Sequence, residues 1–334
     1  MTAIDAGPPI LEVDNLSTWF HTRDGIVKAV DRVSFIVNRG EVLGLVGESG
    51  CGKSVTSLSI MQLVPSPGRN EGGEVLFDGD NILKMSRRNL ESLRGERISM
   101  IFQQPQSSLN PVTRVGAQIS EVFEIHRDLK RLVGKERATE LLAKVGIPDP
   151  GDRTKAYPHE LSGGMAQRVM IAMALALKPE LLIADEPTTA LDVTIQAQIL
   201  DLMRDLQREE GTAVILITHD LGVVAEMADR IAVMYAGEIV EQAEVEPLFA
   251  EPKHPYTQGL IDSIPVLGAV EHELDVIPGT VPNLVDLPAG CRFALRCEAR
   301  ISNGLEICTE RRPDLLQIGE HRTVRCWLYA NGVA

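Results

Sequence analysis

Three short stretches carry residue types able to do chemistry on a phosphate. Gly47-Glu48-Ser49-Gly50-Cys51-Gly52-Lys53-Ser54 has the pattern G-x-x-x-x-G-K-S, a P-loop. Its glycines Gly47, Gly50 and Gly52 let the backbone turn tightly, so that successive N–H groups cradle an anion. Lys53 is then placed to reach the β- and γ-phosphates of a nucleotide, and the Ser54 hydroxyl to ligate Mg2+. Ser49 and Cys51 fill variable positions, and Cys51 reads as a small filler residue. Leu181-Leu182-Ile183-Ala184-Asp185-Glu186 runs four apolar residues into two carboxylates. An apolar strand there sets Asp185 at its carboxyl end, where it can hold Mg2+ directly or through water. Glu186 then points at the γ-phosphate as base or positioner for the attacking water. Leu161-Ser162-Gly163-Gly164-Met165-Ala166-Gln167 places Ser162, Gly163 and Gly164 at a helix start, where backbone N–H groups and the helix dipole address a phosphate.

The elements that must position these groups follow from pattern. Val27 to Val37 and Val42 to Val46 are β-branched and apolar, separated by the turn Asn38-Arg39-Gly40-Glu41. The second run enters the P-loop, and Ser54 to Leu63 reads as the helix that follows, the strand–loop–helix context a P-loop requires. From about Asn81 to Gly146 charged helical patterns dominate, as in Val133 to Leu142, predicting a helical insertion in an α/β core. Val169 to Leu177 reads as a helix, Leu181 to Ala184 as a short buried strand, Ile195 to Arg208 as an amphipathic helix and Ala213 to Ile217 as another buried strand. Alternating strands and helices predict a mainly parallel sheet covered on both faces. Near Glu246 the composition shifts: seven prolines from Pro247 to Pro288 crowd one region, and four of the five cysteines follow.

An LSGGxxQ segment between a P-loop and a downstream Asp-Glu pair resembles the signature of ABC-type ATPases. The resemblance implies an α/β fold: a P-loop ATPase domain with a parallel-sheet core, a β-rich N-terminal subdomain and a helical insertion, followed by a small Cys-containing extension. The corresponding boundaries are 1–245 for the nucleotide-binding domain, with its helical subdomain at about 81–165, and 246–334 for the extension. It also implies roles residue by residue. Gln103 matches the glutamine that contacts Mg2+ or the water and links to a transmembrane partner. Thr189-Ala190-Leu191-Asp192 resembles the D-loop, with Asp192 crossing to the opposite subunit. His219, in Ile217-Thr218-His219-Asp220, matches the switch histidine at the γ-phosphate. Phe20 lies where the family stacks an aromatic on adenine, with Trp19 as a rival. Ser162, Gly163, Gly164 and Gln167 fall in the signature, which in the family caps the γ-phosphate held by the other subunit, so that two ATP molecules join two chains face to face.

Pro252-Lys253-His254-Pro255-Tyr256-Thr257 with Ile264-Pro265, and Gly290-Cys291-Arg292-Phe293-Ala294-Leu295-Arg296-Cys297, resemble segments of the ATP-binding subunits of oligopeptide, dipeptide and nickel importers. The resemblance implies an ATPase subunit that energises import of di- or oligopeptides. Its implied partners are a second, related ATPase, two transmembrane permeases and, indirectly, an extracytoplasmic binding protein. Import of another solute (nickel, glutathione) and a non-transport soluble ABC ATPase are the alternatives. Cys291, Cys297, Cys308 and Cys326 form a cluster without the C-x-x-C of ordinary zinc ribbons, and four thiolates suit Zn2+ or an iron–sulfur cluster. The resemblance implies a [4Fe–4S] cluster of structural role, with Zn2+ and unmetallated thiols as the other readings.

The bulk properties set limits. The 334 residues carry a formal net charge of −14, which argues against a nucleic-acid partner, since phosphate backbones are bound largely by Lys and Arg. The longest apolar run, Val169 to Leu177, is bracketed by Arg168 and Lys178 and falls far short of the roughly 20 residues that span a bilayer. Met1-Thr2-Ala3-Ile4-Asp5 lacks the basic and apolar regions of a signal peptide. The expected location is the cytoplasmic face of a membrane, with the pore supplied by other polypeptides.

Overall fold

The computed structural model describes residues 7–127, 131–188, 193–264 and 277–330. In chain order, strands β1 (Leu11–Thr22), β2 (Gly25–Val37) and β3 (Val42–Val46) lead to helix α1 (Lys53–Ile60). Strands β4 (Gly68–Phe77) and β5 (Asp80–Asn81) precede α2 (Arg87–Leu93) and strand β6 (Ile98–Ile101). Helices α3 (Pro105–Ser108), α4 (Val115–Arg127), α5 (Arg131–Lys144), α6 (Pro150–Arg153) and α7 (Gly163–Leu175) follow. Then come β7 (Leu181–Asp185), α8 (Val193–Glu210), β8 (Ala213–Thr218), α9 (Leu221–Met227), β9 (Arg230–Tyr235), β10 (Glu238–Glu244), α10 (Val245–Ala250) and α11 (Pro255–Asp262). The last elements are α12 (Glu298–Ser302), α13 (Ile307–Glu310), β11 (Leu316–Gly319) and β12 (Arg322–Val324).

The chain divides into two compact units. One comprises residues 1–10, 37–41 and 84–217. In it β6, β7 and β8 are parallel, with Ile98 opposite Leu181, and Leu181 opposite Ala213. Every residue of β7 and β8 is buried, as expected of a parallel sheet covered on both faces, and the apolar runs that predicted them are the result of that double burial. On α4, Val115, Ile119 and Phe123 recur every four residues and are buried; Ala138 and Leu142 of α5 repeat the spacing. That periodicity buries one stripe of each helix and leaves the charged face in water. The stretch from 81 to 165 is therefore largely helical, but β6 lies inside it. Its four residues, Ile98-Ser99-Met100-Ile101, are too few to show a period, and pairing with β7 decides their conformation.

The other unit comprises residues 11–36, 42–83 and 218–334. It holds an antiparallel sheet in the order β2-β1-β4-β5, and a run of strands in the order β11-β12-β10-β9-β3 in which only β3 and β9 pair in parallel. The tail beyond residue 246 lies in this unit with the P-loop, because β12 pairs with β10 and the tail's aromatics enter the core. That core gathers Val46, Ile231, Val233, Tyr235, Tyr256 and Phe293. Between β9 and β10 the turn residues Ala236 (φ 46°) and Gly237 (φ 85°) both have positive φ, as a two-residue hairpin with the strands' right-handed twist requires.

Candidate active site

The P-loop follows the carboxyl end of β3, and α1 begins at Lys53. Two glycines are fixed by close approach. A Cβ on Gly47 (φ 151°) would stand 2.1 Å from the Met234 carbonyl oxygen, and one on Gly52 (φ 108°) 2.2 Å from that of Ala29, so neither position admits a side chain without moving backbone. The Gly237 N–H donates to the Cys51 carbonyl at 2.8 Å, tying the β9–β10 turn to the loop. Lys53 is buried, and its Nζ donates to the carbonyls of Gly47 (2.7 Å) and Glu48 (3.0 Å). Those bonds curl the ammonium back onto the loop. Cys51 is fully buried and its thiol pKa is pushed up by desolvation, which suits a filler and not a nucleophile. Ser54 is half-buried at the second position of α1, and Ser49 and Gly50 are exposed.

In the first unit, Asp185 ends β7 and is buried. Glu186 follows it with φ 46°, and its N–H donates to the Ile217 carbonyl at 2.9 Å. A left-handed conformation at a non-glycine residue costs about 1 kcal/mol or more and recurs where a side chain must be aimed. Gln103, two residues beyond β6, donates from Nε2 to Glu186 Oε2 at 2.7 Å. The structure thus joins Gln103 and Glu186, two residues identified separately in the sequence and 83 positions apart. Parallel pairing of β6 with β7 is what brings their carboxyl ends, and hence these side chains, to the same edge.

The signature segment starts α7. Ser162 caps it, its Oγ accepting from Met165 N at 3.3 Å. Ser162 and Gly163 are exposed and Gly164 is half-buried, whereas Gln167 is buried. A 13-residue helix carries a full macrodipole, and its positive end here is open to an external anion. Gln167 Nε2 has no hydrogen-bond partner among the described residues.

In the second unit, His219 directly follows β8 and is exposed, while Asp220 caps α9 by accepting from Gly222 N at 2.9 Å and Val223 N at 3.2 Å. Trp19 and Phe20 alternate along β1, so they face opposite sides of the sheet. Lys28 Nζ lies 4.8 Å over the Trp19 ring, occupying one of its faces, whereas Phe20 lies against Gly68, where a Cβ would stand 2.7 Å from its ring. Asp192 and the rest of its predicted loop lie outside the described residues.

The sequence reading missed a grip on the P-loop. Glu48 N donates to the Tyr256 hydroxyl at 2.8 Å, and the Glu48 carboxylate pairs with Arg296 through both oxygens at 2.8 and 3.0 Å. Tyr256 belongs to a segment recognised in the sequence, but nothing local marks it or Arg296 as neighbours of the loop.

The metal site expected at Cys291, Cys297, Cys308 and Cys326 is not found: among the described residues no group of three or more His, Cys, Asp or Glu is placed to hold a metal ion. Burial pushes the Cys291 and Cys326 thiols up to about 12, with smaller contributions from charge on the other cysteines. Cys291 N donates to the Cys308 carbonyl at 2.8 Å. A Cβ on Gly290 would stand 2.1 Å from that same carbonyl, so the two loops meet backbone to backbone. No helix among the described residues is long and apolar enough to cross a membrane.

Comparison with known proteins shows the family. The ABC transporter family model matches residues 30–189, and the model of the oligopeptide/dipeptide transporter C-terminal region matches residues 240–303. The oligopeptide transport ATP-binding protein OppD of Bacillus subtilis (strain 168) is 52% identical over 321 residues, covering 96% of this chain and 88% of that protein. The dipeptide transport ATP-binding protein DppD of Haemophilus influenzae is 50% identical over 317 residues, covering 95% of this chain and 94% of that protein. Among solved structures, the dimeric bacterial ABC transporter cassette MJ0796 matches with a TM-score of 0.64 at 28% identity, over 70% of this chain and 98% of its own. The chain is an ABC-type ATPase and belongs to the family of ATP-binding subunits of oligopeptide/dipeptide ABC transporters.

Proposed function

We propose that this ATPase drives import of di- or oligopeptides, working as one of a pair of ATPase subunits on the cytoplasmic side of two permeases. The observation that carries the reading is the hydrogen bond of Gln103 to Glu186 at 2.7 Å in a chain that also carries the oligopeptide/dipeptide transporter region at residues 240–303. The first gives hydrolysis, the second the branch.

In the proposed mechanism, the P-loop N–H groups and Lys53 hold the triphosphate. Ser54, Asp185 and Gln103 are the residues that would hold Mg2+, which neutralises phosphate charge when bound. Glu186 accepts a hydrogen bond from the attacking water and directs it at the γ-phosphorus, opposite the β–γ bridging oxygen, whose bond breaks to release ADP and inorganic phosphate. His219 supports the γ-phosphate, and Phe20 stacks on the adenine. The exposed start of α7, with Ser162, Gly163 and Gly164, caps the γ-phosphate of the partner subunit, with Gln167 supporting that segment and Asp192 crossing between the subunits. Each site is then complete only when two chains close.

For permease docking, a groove of about 280 Å³ is lined by Phe102, Leu109, Val122, Met170 and Met173. Flexible methionines in an apolar groove suit an inserted helix. Gln103, next in sequence to the lining residue Phe102, would let the docked element feel the state of the nucleotide.

For the four cysteines, the reading is a structural [4Fe–4S] cluster, with Zn2+ and unmetallated thiols as the alternatives. Cys291, Cys297, Cys308 and Cys326 would hold it as thiolates. Its role would be to staple the tail.

Purification of the tagged chain from solubilised membranes tests partners and metal in one sample. Two multi-spanning permeases, a second ATPase, and brown colour with stoichiometric iron are the expected result. Stoichiometric zinc without iron would reject the cluster, and a chain found alone in the soluble fraction would reject the assembly.

A further inference from the structure

Glu48 is an anion inside a loop built to bind a more highly charged anion. Of the P-loop residues that contribute side chains it is the only carboxylate, and its side chain is 28% exposed. A bare carboxylate there opposes a triphosphate through space. It is not bare: Arg296, whose side chain is 5% exposed, meets it with two parallel N–H···O bonds, the planar fork geometry in which guanidinium binds carboxylate most firmly. On the other side of the residue the backbone is held as well. Glu48 N donates to the Tyr256 hydroxyl, and the Glu48 carbonyl accepts from Lys53 Nζ. Side chain, N–H and C=O of one loop residue therefore each have a fixed partner, and two of the three come from beyond residue 246.

The two clamping residues are themselves rigidly held. Arg296 also donates to the carbonyl of Pro278 (2.8 Å) and of Ile277 (3.2 Å) and to the Tyr235 hydroxyl (3.3 Å). Tyr256 is fully buried, with ring centroids 4.5 Å from Tyr235 and 5.5 Å from Phe293. The segment entering α11 is pinned by the buried Glu241 carboxylate, which accepts from Lys253 N and from His254 N at 2.8 Å. Four residues before Arg296, Arg292 pairs with Asp31 and Glu238 in a buried network that Arg312 and Arg325 join, and its Nη1 donates to the Ala236 carbonyl in the turn that touches Cys51. The tail thus reaches the back of the P-loop at two points, and a buried ion network of this kind fixes geometry more than it stabilises.

We propose that Arg296 and Tyr256 are positioning residues for ATP binding: they neutralise and immobilise Glu48, so that the P-loop presents its N–H groups to the triphosphate in one conformation. The cysteine-bearing tail is then part of the nucleotide site's support, because Cys297 directly follows Arg296. This inference rests on the P-loop being the ATP site, which saturable MgATP binding by the wild-type chain reports separately.

The test is titration of the full chain with a fluorescent ATP analogue and Mg2+, with thermal melting alongside. Arg296→Met weakens binding about tenfold, Arg296→Lys recovers part of the loss, and Arg296→Met combined with Glu48→Gln returns to within about threefold of wild type, because the repelling charge is gone. A residue that only packs the tail would leave the double variant as weak as the single one. Wild-type affinity in Arg296→Met, or a double variant no tighter than Arg296→Met, overturns the proposal. If Arg296→Met does not fold, Tyr256→Phe decides: it keeps the ring and removes only the acceptor for Glu48 N–H. Weaker binding by several-fold supports the clamp, and unchanged binding overturns it.

Discussion

Glu186→Gln lowers ATP turnover by about 10²- to 10³-fold, the contribution expected of a positioned general base, while ATP still binds. The substitution exchanges one carboxylate oxygen for an NH2 and keeps the other oxygen in place. The amide can therefore still accept from Gln103, whose Nε2 lies 2.7 Å from Glu186 Oε2 in the wild-type chain. The backbone N–H bond to Ile217 is untouched, so the left-handed conformation of residue 186 persists. What is lost is the negative charge that orients and deprotonates water. Turnover and nucleotide binding measured on the same preparation check this: ATP that accumulates unhydrolysed agrees, and a variant hydrolysing within about threefold of wild type removes Glu186 from the mechanism.

Gly164→Asp separates folding from function by the sign of one charge. A carboxylate in the first turn of α7 is favourable to the helix by about 0.3–1 kcal/mol, because it complements the positive end of the macrodipole. Ser162 and Gly163 are exposed at that helix start, and Gly164 is half-buried. The same carboxylate occupies the position proposed for the partner's γ-phosphate and repels it. The expected result is an unchanged or slightly raised melting temperature, normal MgATP binding at the P-loop, and hydrolysis reduced by about 10²-fold or more, with ATP-dependent pairing of chains lost. Scattering or sizing with ATP in the Glu186→Gln background reads the pairing directly. Normal turnover in Gly164→Asp would mean that each chain hydrolyses alone.

The parts legible in the sequence are those whose signal is local. Strands β3, β7 and β8 are short apolar runs because parallel strands are buried on both faces, and each runs into its functional residues without a gap. The P-loop glycines are legible for the same reason: the loop's backbone can only be built with them. Strand β1 is not legible, because its register shifts between Asp14 and Ser17 and breaks the alternation that would announce it. Strand β6 is four residues inside a helical stretch. The clamp on Glu48 joins residues 248 positions apart and the Arg292–Asp31 pair residues 261 apart. A spacing of that size leaves no pattern in either segment. The metal site expected from the four cysteines is not found: among the described residues no group of three or more His, Cys, Asp or Glu is placed to hold a metal ion.

ATP-dependent peptide uptake, measured after reconstituting the chain with its co-purifying permeases, second ATPase and binding protein, tests the central claim most directly. The account predicts that di- or oligopeptide accumulates with wild-type chain and ATP, and that uptake is abolished by Glu186→Gln. Peptide movement that is indifferent to that substitution, or a reconstituted complex that hydrolyses ATP and moves no peptide, would contradict it.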